Sequence, residues 1–202
     1  MIDVILEWDR ELFHFLNTSL ATPIGDVLWP AITQYDRFPA VRVALALIWI
    51  MLVAKGGRRG RLAALVLVPL ILVSDQLNSH VIKDLVGRPR PCHLVNGVRI
   101  MNDIRMLVDC GPGFSFMSSH AVNNAAAATV LSHYYPRWTW AFVLWAALVA
   151  LSRVFVGAHY PLDVVSGALL GAGIAHVMIL TVEHVIQVVS RRRSEAQAEI
   201  PS

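Results

Sequence analysis

The sequence predicts an all-α protein, a polytopic membrane helix bundle of about five to six transmembrane helices preceded by N-terminal amphipathic interfacial helices. Three observations carry that expectation. Hydrophobic residues make up 56% of the 202 residues and charged residues only 15%, where a soluble domain carries about a quarter charged residues. Mean hydropathy is +0.57. The apolar residues are also gathered into runs that approach the length needed to cross a hydrocarbon core of roughly 30 Å, with polar residues held in short islands between them. The bilayer is therefore the expected environment. A net charge of +3 is too small to point to nucleic acid as a partner.

The length suits one membrane-embedded domain, 1–202. Within it, 1–37 reads as an amphipathic N-terminal segment, 38–190 as the helix bundle, and 191–202 as a basic, then polar, cytoplasmic tail. In the N-terminal segment Val4, Ile5, Trp8, Leu12, Phe13 and Leu16 fall on one helical face, interrupted by Asp9, Arg10 and Glu11. A second stretch near 24–32 carries Pro23, Asp26 and Pro30. Neither is a clean span. Helices lying in the interface fit better, with Trp8 and Trp29 at the headgroup level. No basic start followed by an apolar core marks a cleavable signal peptide.

Five apolar runs follow, at about 39–54, 62–80, 119–134, 138–157 and 162–189. The first and third are short for a span and imply thinned bilayer or extension into flanking residues. Pro69 is expected to kink the second. Gly167 and Gly171 in the fifth form a small-xxx-small pair suited to close helix packing, within the chain or in a homo-oligomer.

Orientation follows from the basic loops. Lys55, Arg58, Arg59 and Arg61 lie between the first two spans, and Arg191, Arg192 and Arg193 follow the last. The positive-inside rule puts both in the cytoplasm, and alternation puts Arg137 there too. The N-terminus, the loop 81–118 and the turn around His159 then face the other side. Arg88, Arg90, Arg99 and Arg105 in that loop run against the rule, so they read as functional or as tolerated in a longer loop. Cys92 and Cys110, the two cysteines of the chain, lie in the same loop. An oxidising compartment suits a bridge between them; two unpaired thiols are the alternative.

Three polar islands stand at the edges of the apolar runs: Lys83 with Arg90-Pro91, Ser118-Ser119-His120, and Ser152-Arg153 with His159 and Asp163. The topology brings all three to one membrane face. Ionisable groups are retained at such places mainly when they work. Arg90 and Arg153 can grip phosphate oxygens bidentately, and Lys83 adds a point charge. The helix N-termini at Ser119 and near Leu162 aim unpaired N–H groups at the same place. His159 and Asp163, four apart, allow a carboxylate to orient an imidazole whose other nitrogen is free to attack phosphorus. His120 is placed to protonate a leaving oxygen and then activate water. This is the inventory of a phosphoryl-transfer site.

In order and spacing these islands resemble the three signature motifs of the phosphatidic acid phosphatase type 2 superfamily. The first and third agree at Lys83, Arg90, Pro91, Ser152, Arg153, His159 and Asp163. The second departs, with Met117-Ser118-Ser119-His120 in place of the family's Pro-Ser-Gly-His. Losing that glycine bears on how closely the backbone at Ser119 can approach phosphate.

The resemblance implies a bundle of membrane helices, His159 as a nucleophile forming a phosphohistidine, Asp163 orienting it, and His120 as general acid and base. Lys83, Arg90, Ser118, Ser119 and Arg153 would bind phosphate, with no metal and no cofactor. The expected enzyme is an integral-membrane phosphatase working on a lipid phosphate or diphosphate, in a bacterial inner (plasma) membrane with its site on the extracytoplasmic face. Undecaprenyl diphosphate, recycled on that face, is the favoured substrate. Phosphatidylglycerophosphate and phosphatidic acid are the others. A lipid phosphotransferase using the same histidine, and a non-catalytic lipid-phosphate binding or transport protein, are the alternatives. Asp75, Ser79, Asn123 and Asn124 either hold the catalytic side chains or join helices, His80 reads as a packing residue, and Arg88 is placed to touch a second phosphate.

Overall fold

The computed structural model describes residues 1–95 and 98–198. The side chains of Val95, Val98, Arg99 and Ala198, and residues 96–97 and 199–202, lie outside that description. Helix α1 (Ile2–His14) runs on through a wide turn, Phe15–Ser19, and α2 (Pro23–Thr33) begins where Thr22 caps the Gly25 N–H at 3.1 Å. Proline at the first position of α2 supplies a preset φ and lacks only an N–H that has no helical partner there. Helices α3 (Pro39–Lys55) and α4 (Gly57–Leu77) are joined at Gly56. A wide turn, Asn78–Ile82, carries α4 on into α5 (Lys83–Val86), and Pro69 lies within α4. A small antiparallel hairpin, β1 (Leu94–Val95) and β2 (Val98–Arg99), sits in the long loop before α6 (Ser119–Tyr134). Helices α7 (Thr139–Phe155) and α8 (Pro161–Ala198) complete the chain.

Among the described residues, three helical stretches are long and apolar enough to cross a membrane: Gly57–Val86, Pro136–Phe155 and Pro161–Gln197. Helices α3 and α6, of 17 and 16 residues, are shorter. They differ in where their apolar surface goes. α3 buries no residue, and Val43, Leu47, Ile48, Ile50 and Met51 are exposed around its circumference. It packs on α4, where Trp49 donates to the Ala64 carbonyl at 3.2 Å, and a helix with this much exposed apolar surface belongs in lipid. α6 is instead the centre of the bundle, touching α4, α7 and α8. Its alanines let neighbours come close, and the core forms where Val66 and Leu70 of α4, Ala126 and Val130 of α6, and Ala175 and Ile179 of α8 meet. The architecture is an all-α membrane bundle, and the chain is an integral membrane protein.

The Gly167–Gly171 pair packs inside the chain. A Cβ at Gly171 would lie 2.1 Å from the Val122 carbonyl oxygen, and one at Gly167 would lie 3.0 Å from that of Ser118. These glycines set the approach of α8 to α6.

The N-terminal helix departs from the expected pattern. Asp9, read as an interruption of an apolar face, is buried, while Val4, Ile5, Trp8 and Leu12 are exposed. The face that docks on the bundle is the one carrying Asp9 and Phe13. Phe13 meets Tyr160 edge-on at 5.4 Å, and the Asn17 amide bridges two segments, donating to the Phe155 carbonyl at 2.9 Å and accepting from the Arg105 N–H at 2.8 Å. Polar groups with fixed partners, together with Phe13 and Leu16 from one end of the apolar stripe, orient α1.

Candidate active site

Six of the expected residues, Lys83, Arg90, Ser119, His120, Arg153 and His159, line one cavity of about 320 Å³. They come from five places in the fold. Lys83 opens α5 at the end of the long α4 helix. Gly87, at φ +61°, then turns the chain in a left-handed conformation that glycine adopts without strain. That turn brings Arg90 back over the bundle. Its Nε and Nη2 donate to the carbonyls of Gly113 and Pro112 at 3.1 and 3.2 Å. The segment supplying those carbonyls is tied to Cys92 by the Cys92–Cys110 disulfide, with Cα atoms 5.9 Å apart. The two cysteines are therefore bonded.

Ser119 and His120 form the first turn of α6. The Ser119 hydroxyl accepts from Asn78 Nδ2 at 3.0 Å, and the same amide nitrogen donates to the Met117 carbonyl. Arg153 closes α7, with Nη1 donating to the Thr33 hydroxyl at 2.6 Å, while its Nε has no partner among the described residues. His159 lies in the short loop between α7 and α8, where Gly157 has φ +82° and passes so close to the Arg105 carbonyl that a Cβ would stand 2.5 Å from it. Thr33, Gln34, Asp36, Arg37 and Asp109 complete much of the wall.

Asp163 and Ser118 stand behind the cavity wall, both fully buried. The Ser118 hydroxyl has no hydrogen-bond partner among the described residues. Asp163 is heavily engaged. Its Oδ2 lies 3.6 Å from His159 Nδ1, longer than a hydrogen bond. Ser115 fills the gap, donating its hydroxyl to Asp163 Oδ2 and standing 3.3 Å from His159 Nδ1. Asp163 Oδ2 also accepts from the Tyr160 N–H at 2.9 Å, and Oδ1 accepts from Arg88 at 2.8 Å. Arg88 reaches on to Asp9, whose other oxygen accepts from the Leu162 N–H at 2.8 Å. The guanidinium lies 3.9 Å over the Tyr160 ring.

That network changes three expectations. Arg88 does not line the cavity; it is held between two buried carboxylates, Asp9 and Asp163. The N–H of Leu162, at the start of α8, is already taken by Asp9, so of the two helix ends expected to face phosphate only α6 presents residues to the cavity. His159 precedes α8, and a serine hydroxyl mediates its contact with Asp163. Ser115 was not singled out because it sits in a loop, where no periodicity reports orientation. Its only signal was lying three residues before Ser118. Asn78 likewise reads as one more polar residue near a helix end. Asn123 reaches Asp75 at 3.5 Å, and Asn124 donates to the His120 carbonyl at 2.9 Å while accepting from the Tyr35 hydroxyl. These polar side chains therefore both join helices and brace the helix that carries His120.

Burial pushes the His159 imidazole down to about 3, the nearby Asp163 offsetting part of that. At neutral pH the ring is uncharged and keeps a lone pair on one nitrogen. Burial also lowers Arg90 from its ordinary value, with Asp163 acting in the opposite sense.

A family model described as the PAP2 superfamily matches residues 62–186, more than half of the chain and all three islands. The chain belongs to the PAP2 superfamily. Among similar proteins is a lipid A 4'-phosphatase of Bacteroides thetaiotaomicron, 30% identical over 177 residues that cover 85% of this chain and 75% of the relative. An undecaprenyl-diphosphatase of Sulfolobus acidocaldarius is 28% identical over 171 residues, covering 84% and 76%. Among solved structures, Aquifex aeolicus LpxE superposes with a TM-score of 0.68 at 24% identity, covering 84% of this chain and 93% of that one. A phosphatidylglycerolphosphate phosphatase from Bacillus subtilis gives 0.65 at 22% identity, covering 90% and 88%. These two likenesses establish a shared PAP2 fold. The relatives are phosphatases by name, in keeping with the expected class of enzyme.

Proposed function

We propose that this PAP2 protein hydrolyses a lipid phosphate or diphosphate headgroup through a phosphohistidine on His159. The observation that carries this reading is the gathering of Lys83, Arg90, Ser119, His120, Arg153 and His159 around one cavity. Lys83, Arg90 and Arg153 there offset the charge of a phosphoryl group and of its equatorial oxygens at the transition state. His159 Nδ1 faces Ser115 and Asp163, so Nε2 is the attacking atom. It forms a P–N bond as the P–O bond to the lipid breaks, and His120 gives a proton to the departing oxygen. His120 then takes a proton from water, whose oxygen attacks phosphorus, and the P–N bond breaks to release phosphate and neutral His159. Asp163 stabilises the positive charge that the imidazole gains while phosphorylated. Ser118, buried beneath the α6 turn, supports the phosphate-binding segment.

The disulfide in the 81–118 loop supports an extracytoplasmic site, since such bonds persist in oxidising compartments. A bacterial inner membrane is the setting proposed. Undecaprenyl diphosphate leads the proposed substrates, and the named activity of the archaeal relative supports it; phosphatidylglycerophosphate and phosphatidic acid follow. Purified protein should release phosphate from at least one of these three lipids, with chelator leaving the rate unchanged. His159→Ala should release none while remaining folded, and turnover by that variant would overturn the nucleophile assignment.

A further inference from the structure

A second cavity lies at the other end of the bundle. Lys83, His120 and Asp163 mark the active-site ends of the α4–α5 stretch, α6 and α8. Arg58 lies at the opposite end of α4, His133 and Tyr134 at that of α6, and Glu183 well along α8. From Asp163 to Glu183 is roughly 30 Å along α8 at 1.5 Å per residue. The cavity there has a volume of about 520 Å³ and is lined by Arg58, Arg59, His133, Tyr134, Glu183 and Gln187 over an apolar floor of Leu62 and Ile186.

Its chemistry is that of an anion site. Arg58 and Arg59 have no ion-pair partner among the described residues. The one carboxylate, Glu183, is held by His133 at 2.8 Å, which leaves both guanidiniums unspent. Both sit in the first turn of α4, a 21-residue helix whose opening N–H groups also favour negative charge. Tyr134 supplies an independent sign of a missing partner. It is only 5% exposed, lines the cavity, and its hydroxyl makes no hydrogen bond among the described residues. A buried hydroxyl without a partner is costly, and a phosphate oxygen would satisfy it. A role in fixing topology would explain basic residues here but not the cavity or the unpaired tyrosine.

We propose that this cavity binds the phosphate group of an anionic phospholipid from the leaflet opposite the active site. Arg58 and Arg59 grip the phosphate, and the Leu62–Ile186 floor receives the glycerol and first methylenes. That apolar floor favours a lipid over free phosphate as the source. Basic pockets between membrane helices on the cytoplasmic side are suited to such headgroups.

The test uses the full chain in phosphatidylcholine nanodiscs, with phosphatidylglycerol titrated in and bound lipid counted by native mass spectrometry. Phosphatidylglycerol should be retained at least tenfold more strongly than phosphatidylcholine. The Arg58→Gln/Arg59→Gln variant should lose that preference and keep its phosphatase activity. Arg58→Lys/Arg59→Lys preserves the basic loop that sets topology but removes the bidentate forks, and should lose most of the preference. Tyr134→Phe should weaken retention severalfold. If inorganic phosphate at equal concentration displaces the lipid, the lipid source is overturned and the site is one for free phosphate. Equal retention by parent and both double variants overturns the site altogether.

Discussion

Replacing Ser115 with alanine separates two ways in which Asp163 can act on His159. The direct Nδ1–Oδ2 distance of 3.6 Å is too long for a hydrogen bond, and Ser115 connects the two through one hydroxyl. If Asp163 works through that bridge, Ser115→Ala removes a hydrogen bond to a charged group, worth about 1.5–3 kcal/mol. At 1.36 kcal/mol per decade, kcat should fall about 10- to 150-fold. The assay is phosphate release at saturating lipid phosphate in detergent micelles, with thermal unfolding followed in parallel. Tm should fall as well, since the same buried hydrogen bond is lost from the folded state, and Ser115→Thr, which keeps a hydroxyl, should recover most of both. A Ser115→Ala enzyme within threefold of the parent at unchanged Tm would refute the bridge and return Asp163 to a direct or purely structural role.

Gly171→Ala should destabilise the protein by roughly 1–3 kcal/mol, because the new Cβ would press on the Val122 carbonyl. Gly173→Ala, with open space around it, should be neutral or stabilising by up to about 1 kcal/mol; equal melting temperatures for the two variants would contradict the α6–α8 packing. The buried His159 has a folded pKa of about 3 against about 6.5 in an unfolded chain. Between those values the unfolded state binds the extra proton, so stability contributed by the neutral ring is lost as pH falls below about 6.5. The parent should therefore lose Tm relative to His159→Gln between pH 6.5 and 4, and a constant difference would count against a neutral buried imidazole. Reducing Cys92–Cys110 should cost about 3 kcal/mol by the entropy of closing a loop of this size. After mild reduction, an impermeant thiol reagent should label both cysteines in intact cells; labelling only in opened cells would place this loop, and the site with it, in the cytoplasm.

Much of the candidate site was legible because the chemistry expected of it calls for residue types that are rare in apolar sequence. Lys83, Arg90, His120, Arg153 and His159 stand out against their surroundings, and their spacing matches three motifs in order. The supporting residues did not stand out. Ser115, Asn78 and Asp9 are ordinary polar residues, two of them in or beside irregular backbone. Asp9 was misread because periodicity says which residues share a face but not which face meets the protein. In a membrane protein the exposed side is itself apolar, so the usual inference from apolar to buried fails for α1, and equally for α3.

The sequence alone determined that the chain is a helical membrane protein, because composition fixes the solvent in which its surface is stable. It also determined which side chains could handle a phosphoryl group, since few residue types carry that charge and acid–base chemistry. Only the tertiary structure decided how those groups are held. Close approach at Gly167 and Gly171 sets α8 against α6, and the disulfide fixes the loop whose carbonyls hold Arg90. The Asp9–Arg88–Asp163 chain ties the first helix to the last, across more than 150 residues. Such pairings depend on distances between segments remote in sequence, and local pattern does not encode them.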